Sequence, residues 1–223
     1  MNTKLFIEAI SKYLLGLIIT ILLIFIPAGD LGYLNGWLLI GLLFIPMFIA
    51  GIIMMIKNPK LLKSRLDVKE KEIEQKTVIK ISGLMFITGF IIAGLNYRYN
   101  WFKMPKIIVI ISSIIFLISY LLYAIVLKEN AYLSRTIGVK KEQKLIDTGL
   151  YGIVRHPMYF ATIFLFLSIP LILGSPISFI IFLIYPFIIS KRIKNEEEVL
   201  EKELKGYKEY KEKVRYKMIP FIW

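Results

Sequence analysis

The chain has 223 residues, of which 57% are hydrophobic, with a mean hydropathy of +0.67 and a net charge of +13. Soluble domains hold only about 45–50% apolar residues, so this composition excludes an ordinary soluble fold and indicates an all-α integral membrane protein. There is no cysteine and only one histidine, His156, which excludes disulfides, thiolate metal sites, a cysteine nucleophile, palmitoylation and a histidine-rich metal cluster. Any chemistry falls to Arg, Lys, Tyr, Glu, Asp, His156 or a bound organic cofactor.

Six apolar segments follow one another, at about 5–27, 33–56, 78–95, 104–127, 158–173 and 175–190. The first carries Lys4 and Lys12 ahead of an apolar core, Leu14–Ile26, and no small-residue cleavage pattern follows it. It reads as a retained helix rather than a secretory signal. The first four segments reach or approach the roughly 20 residues that a helix needs to cross a bilayer. They form an N-terminal transmembrane region, 1–130, ahead of a second region, 131–223.

Basic residues alternate between the connections. Lys4, the seven Lys/Arg of 57–77, the six of 128–157 and the ten of 191–223 make 24, against three in the intervening connections: Arg98, Lys103 and Lys106. The positive-inside rule then puts both ends of the chain and the long connections on the cytoplasmic side. The charge is therefore read as membrane-flanking, attracting anionic headgroups, and not as a nucleic-acid surface.

The last two segments are about 16 residues each, or roughly 24 Å of helix, short of the ~30 Å hydrocarbon core. Pro170 and Pro186 are expected to kink them, and Ser175-Pro176 to turn between them. The pair, 158–190, is a tight hairpin, spanning or re-entrant. In both cases its ends return to one side, so 149–157 and 191–217 meet there. Beyond it, Leu200, Leu204 and Tyr207 recur at helical spacing among charges, which predicts an amphipathic cytoplasmic helix, bent or interrupted at Gly206. The pairs Gly36/Gly41 and Gly83/Gly89 suggest close helix packing.

Residues 149–160, GLYGIVRHPMYF, are the densest cluster of polar and special residues before the hairpin. Pro157 biases His156 away from helix and suits the first turn of the next one. One reading is an interfacial anchor, with Arg155 and His156 at the headgroups and Tyr159 in the aromatic belt. Arg192 and Glu196, four apart on a helix, taken alone form an ordinary surface pair worth about 0–1 kcal/mol. The hairpin brings the two groups together, so that a cation, a carboxylate, an imidazole and phenols share one hydrophobic boundary.

The series Gly149, Tyr151, Arg155, His156, Pro157 and Tyr159, then Arg192, Glu196, Glu197 and Leu200, then Tyr207, Tyr210, Val214 and Ile219-Pro220, resembles the isoprenylcysteine carboxyl methyltransferase family, which is grouped with phospholipid N-methyltransferases. The resemblance covers roughly 136–223. It implies a cytoplasmic S-adenosylmethionine pocket closed by the C-terminal segment. By position, the cofactor contacts would be Gln143, Lys144, Leu145, Ile146, Tyr151, His156, Pro157, Met158, Tyr159 and Glu196, with Arg192 facing the acceptor and His156 as a second catalytic candidate. The chain departs from the eukaryotic pattern at Gln143, where those enzymes have histidine, and at the glycine directly before Tyr207.

The chemistry suits these residue types. Methyl transfer from a sulfonium is an in-line displacement that depends on alignment and desolvation and needs no metal. Aromatic faces can hold the cation, and an arginine can grip a carboxylate with two parallel hydrogen bonds. A carboxylate acceptor is already ionised near pH 7, whereas an amine or thiol acceptor would need a base, for which His156 is the candidate. The expectation is a membrane methyltransferase acting on a lipophilic or lipidated acceptor, most like isoprenylcysteine carboxyl O-methylation. A phospholipid amine or a small thiol is the alternative acceptor. The rival of another class is a non-catalytic transporter, which calls for ionisable residues at the membrane midplane; within the segments only Glu8, Lys12 and Lys80 appear, near their ends.

Overall fold

A computed structural model describes the chain apart from residues 1–2, 68–72, 134, 135, 137, 140 and 141, and apart from the side chains of 73 and 74. Regular structure among the described residues is helical throughout. Four long helices come first, α1 (Thr3–Ala28), α2 (Leu34–Lys57), α4 (Ile73–Tyr99) and α5 (Lys106–Glu129), with a short α3 (Pro59–Leu66) between the second and third of them. A single 3₁₀ turn at Gly149–Gly152 precedes α6 (Pro157–Ile172), α7 (Pro176–Phe182), α8 (Tyr185–Glu203) and α9 (Tyr207–Lys213). The breaks sit at turn chemistry. Gly29 closes α1 at φ 66°, the left-handed position that glycine enters without strain. Asn58 caps α3 by accepting from the Leu61 N–H at 3.1 Å, with Pro59 in the first turn.

Five helical stretches among the described residues are long and apolar enough to cross a membrane, namely α1, α2, α4 from Gln75, α5, and Pro176–Glu203. Their outer faces carry Ile18, Leu22, Ile49, Leu84, Ile114 and Ile118, all exposed. A continuous apolar surface of that kind suits lipid, not water. Inside, α1 lies against α4 and α5 against α6, while α4 also supports α7 and α8. The α1–α4 approach is close: a Cβ at Gly94 would stand 2.5 Å from the Ile24 carbonyl oxygen and 3.0 Å from the Ala28 nitrogen. Small residues permit such backbone contact where apolar burial cannot drive association. Of the glycine pairs singled out in the sequence, Gly36 and Gly89 do sit against neighbouring side chains, while Gly83 faces open space and Gly41 reaches only the Ile45 side chain of its own helix.

The hairpin differs from the expectation in its second arm, which is not one kinked segment ending at 190. Helix α7 stops at Phe182, Leu183-Ile184 turn the chain, and α8 starts at Tyr185 and continues to Glu203. Pro186 lies in the first turn of α8, where its missing N–H leaves no bond unmade, so it begins a helix instead of kinking one. The predicted amphipathic helix is accordingly the second half of α8, followed by a separate α9. Gly206, at φ 85°, divides them. Ser175 caps α7 by accepting from the Ser178 N–H at 3.2 Å. The tip of the hairpin is tied to the far end of the bundle. The Tyr33 hydroxyl donates to the Leu173 carbonyl, and Asn96 Nδ2 donates to the Phe102 carbonyl at 3.0 Å and the Gly174 carbonyl at 3.4 Å. The tip is therefore level with the α1–α2 and α4–α5 loops, and the arms run the height of the bundle. Their other ends meet beside the C-terminus of α5.

Candidate active site

The site is built where the α6 entry, the polar half of α8 and the C-terminal segment converge. Gly149, at φ 59°, starts the 3₁₀ turn, and the Leu150 N–H donates to Glu129 Oε2 at the end of α5 at 3.0 Å. His156 is extended (φ −127°, ψ 61°) because Pro157 follows it and opens α6. Freed from helix, the backbone there pairs with the C-terminal segment: the Arg155 N–H donates to the Tyr216 carbonyl at 3.0 Å, and the His156 N–H to the Lys217 carbonyl at 2.7 Å.

Arg155 is not a headgroup anchor. It is buried, and its Nε donates to Glu197 Oε1 at 2.7 Å, while Nη1 donates to the Val214 carbonyl at 2.7 Å and the Arg215 carbonyl at 2.8 Å. A buried guanidinium is tolerable only when paired and hydrogen-bonded, and here it satisfies both conditions while stitching three segments together. His156 Nε2 stands 3.3 Å from the same Glu197 oxygen, and Lys217 Nζ lies 3.8 Å from the other. The imidazole stacks on the Tyr159 ring at 5.7 Å.

A second polar chain crosses the first turns of α6 and the middle of α8. The Tyr159 hydroxyl donates to Glu196 Oε2 at 2.5 Å, and Arg192 Nε donates to the same hydroxyl oxygen at 2.8 Å. Arg192 Nη1 donates to Gln75 Oε1 on α4 at 3.3 Å, and its guanidinium carbon lies 5.9 Å from the Tyr159 ring centre. Arg192 and Glu196 are thus linked through a phenol contributed by another helix, not only by their spacing along α8.

These groups face a cleft that is open to solvent. Gln143, Lys144, Leu145, Ile146, Tyr151, His156, Met158, Tyr159, Arg192 and Glu196 all line it. Pro157 is the exception among the expected contacts. It is buried and serves to start α6. Leu200, Leu204, Tyr207 and Tyr210 also line the cleft, and they pack with Val139, Leu145 and Val214 in a small core of their own. The Tyr210 hydroxyl donates to the Tyr151 carbonyl at 2.7 Å. Burial pushes the phenols of Tyr151, Tyr207 and Tyr210 well above their ordinary pKa, so all three stay neutral hydroxyls at physiological pH.

Asn130 and Leu133, at and just beyond the end of α5, also line the cleft, and Gln75 stands behind Arg192. None of these three carried a signal in the sequence, because each is an ordinary residue placed by packing. Leu200, Tyr207 and Tyr210 belonged to the motif spacing but had no role attached. Among the described residues, no group of three or more His, Asp or Glu side chains is arranged to hold a metal ion.

The family model described as "Isoprenylcysteine carboxyl methyltransferase (ICMT) family" matches residues 108–202, from α5 through almost the whole of α8. The matched stretch contains Arg155, His156, Tyr159, Arg192, Glu196 and Glu197. No curated protein matches the chain.

Proposed function

Because residues 108–202 match the model of the ICMT family, a family of membrane methyltransferases, we propose that this protein transfers a methyl group from S-adenosylmethionine to a lipophilic acceptor. The reaction closest to the site is carboxyl O-methylation of an S-isoprenylated cysteine. The observation that carries this reading is the linked set Glu196–Tyr159–Arg192 in one cleft, a carboxylate and a guanidinium held a fixed distance apart by a phenol between them.

The cleft suits the cofactor. The Tyr207 hydroxyl is buried in its wall with no hydrogen-bond partner among the described residues. A buried unpaired hydroxyl costs about 1–3 kcal/mol, a cost that a polar ligand removes. Glu196 supplies acceptor oxygens for an ammonium or for ribose hydroxyls, and the faces of Tyr151 and Tyr159 can hold a cation. The irregular backbone of 143–146 borders the same space. When bound, S-adenosylmethionine supplies an electrophilic methyl on a sulfonium.

The chain's own residues would then align and desolvate. Arg192, steadied by its bond to Tyr159, grips an acceptor carboxylate from one side. That carboxylate is ionised near pH 7, so no base is needed, and His156 acts as a wall residue held by Glu197. The C-terminal segment, tied to Arg155 and His156, excludes water from the reacting end. The charge asymmetry of the connections supports a cytoplasmic opening for the cleft.

Calorimetry on folded, detergent-purified protein tests this directly. S-adenosylmethionine should bind the wild type, and Arg192→Ala should bind it within a few-fold while losing methyl transfer by about 100-fold or more, the scale set by an interaction worth about 3 kcal/mol in the transition state. Absence of binding in the wild type would sink the reading. Equal loss of cofactor affinity in the variant would reassign Arg192 to the cofactor.

A further inference from the structure

Gln75 lies in the first turn of α4, outside the residues that the family model matches. It is 0% exposed, an unusual place for a carboxamide, since buried polar groups are expected to satisfy their hydrogen bonds. Only half of it does. Oε1 accepts from Arg192 Nη1 at 3.3 Å, while Nε2 has no partner among the described residues. The donor assignment is unambiguous, because a guanidinium can only donate, so the oxygen must face Arg192 and the NH₂ group must be the unpaired one. Asn195, three residues along α8 from Arg192, also has a buried Nδ2 without a partner. The unpaired Gln75 donor thus lies beside a guanidinium that itself lines the cleft. What Gln75 Nε2 lacks is an acceptor oxygen among the described residues.

We propose that Gln75 determines acceptor specificity: Oε1 fixes the Arg192 guanidinium, and the Nε2–H₂ group donates to an oxygen of the acceptor's anionic group. This rests on the methyltransferase reading. An oxygen that accepts from Nη1 of Arg192 enters the neighbourhood of the amide, because Nη1 is 3.3 Å from Oε1 and Oε1 and Nε2 share one carbon. Two kinds of donor on one oxyanion favour an anion over an ammonium, which has no lone pair to offer. They also bring an N-terminal helix into the chemistry of the C-terminal half.

Two substitutions separate the two functions of the amide. Gln75→Glu keeps an oxygen for Arg192 and removes the donor; Gln75→Leu removes both. The probe is N-acetyl-S-farnesyl-cysteine, with methyl-labelled S-adenosylmethionine as donor and calorimetry of the cofactor alone as a check on folding. Both variants should raise the acceptor KM roughly 10- to 100-fold, the scale of one hydrogen bond to a charged group. Cofactor Kd should change less than about twofold. A wild-type acceptor KM in Gln75→Glu would reduce Gln75 to a prop for Arg192, and a wild-type KM in Gln75→Leu would remove it from the site. Loss of cofactor affinity in both variants would make the residue merely structural. If the wild type binds cofactor but leaves the carboxylate probe unmethylated, the anionic-acceptor assignment falls while the methyltransferase reading stands. If the wild type binds no cofactor, it is the methyltransferase reading that fails.

Discussion

Glu197 holds the site's framework. Its Oε1 takes Arg155 at 2.7 Å and faces His156 at 3.3 Å, and both members of the Arg155–Glu197 pair are almost wholly shielded from solvent. Its neighbour Glu196 points instead into the cleft. Adjacent helical residues are turned by about 100° from one another, so one of two consecutive glutamates becomes scaffold and the other a candidate ligand. Removing one partner of a buried pair leaves an uncompensated charge and costs about 3–5 kcal/mol. Glu197→Ala is therefore expected to lower the thermal midpoint in detergent sharply, and Glu197→Gln, which still accepts from Arg155, to recover part of the loss. A Glu197→Ala protein as stable as the wild type would contradict the scaffold assignment. In the sequence the family resemblance singled out Glu196 as a cofactor contact, but the run Glu196-Glu197-Glu198 gave no sign of Glu197 as scaffold, because that depends on which face of α8 meets Arg155.

At the level of elements, two close contacts hold α4, the helix that brings Gln75 to Arg192. Gly94 lets α1 and α4 touch backbone to backbone, and the Ser178 hydroxyl donates to the Gly89 carbonyl at 2.8 Å, seating α7 on α4. A backbone oxygen cannot swing aside as a side chain can, so Gly94→Ala must push the helices apart. Overpacking of this kind costs about 1–3 kcal/mol. Gly83→Ala, on the same helix but facing open space, should be neutral or stabilising by up to about 1 kcal/mol, since alanine is the better helix former. Thermal unfolding of the two variants side by side checks the contrast, and equal effects would overturn it. The hairpin's second arm shows where reading by composition stops. Proline content suggested a kink at Pro186, yet the chain breaks two residues earlier and uses that proline as a helix start.

Across the whole molecule, the polar ends of α6 and α8 lie at the opposite end of the bundle from the hairpin tip. The tip is bound to the α1–α2 and α4–α5 loops, the two connections with few or no basic residues. The chain has no native cysteine, so single introduced cysteines report sidedness cleanly. Leu31→Cys, exposed in the α1–α2 loop, is expected to react with an impermeant thiol reagent from outside intact cells. Lys208→Cys on α9 should react only after permeabilisation. The opposite pattern would invert the orientation taken from the basic residues. Ser175 is a poorer reporter, because it is fully buried at the tip and caps α7.

Read along the chain alone, the sequence carries the membrane class, the approximate segments and the turn at Ser175-Pro176 that returns the chain to one side, though not the break inside the hairpin's second arm. These follow from apolar run length, turn residues and the distribution of Lys and Arg, all of which act locally along the chain. It also pointed to the cluster around His156, since arginine, histidine and proline in succession at a helix entry are unusual. Only the tertiary structure decided that Arg155 is a buried clamp and that Tyr159 joins Arg192 to Glu196. It likewise decided that Gln75 reaches the site from residues far away in sequence. The reason is physical: a charged or amide side chain has the same local propensity whether it meets solvent, a carbonyl or a partner on another helix, and helix packing alone selects among them.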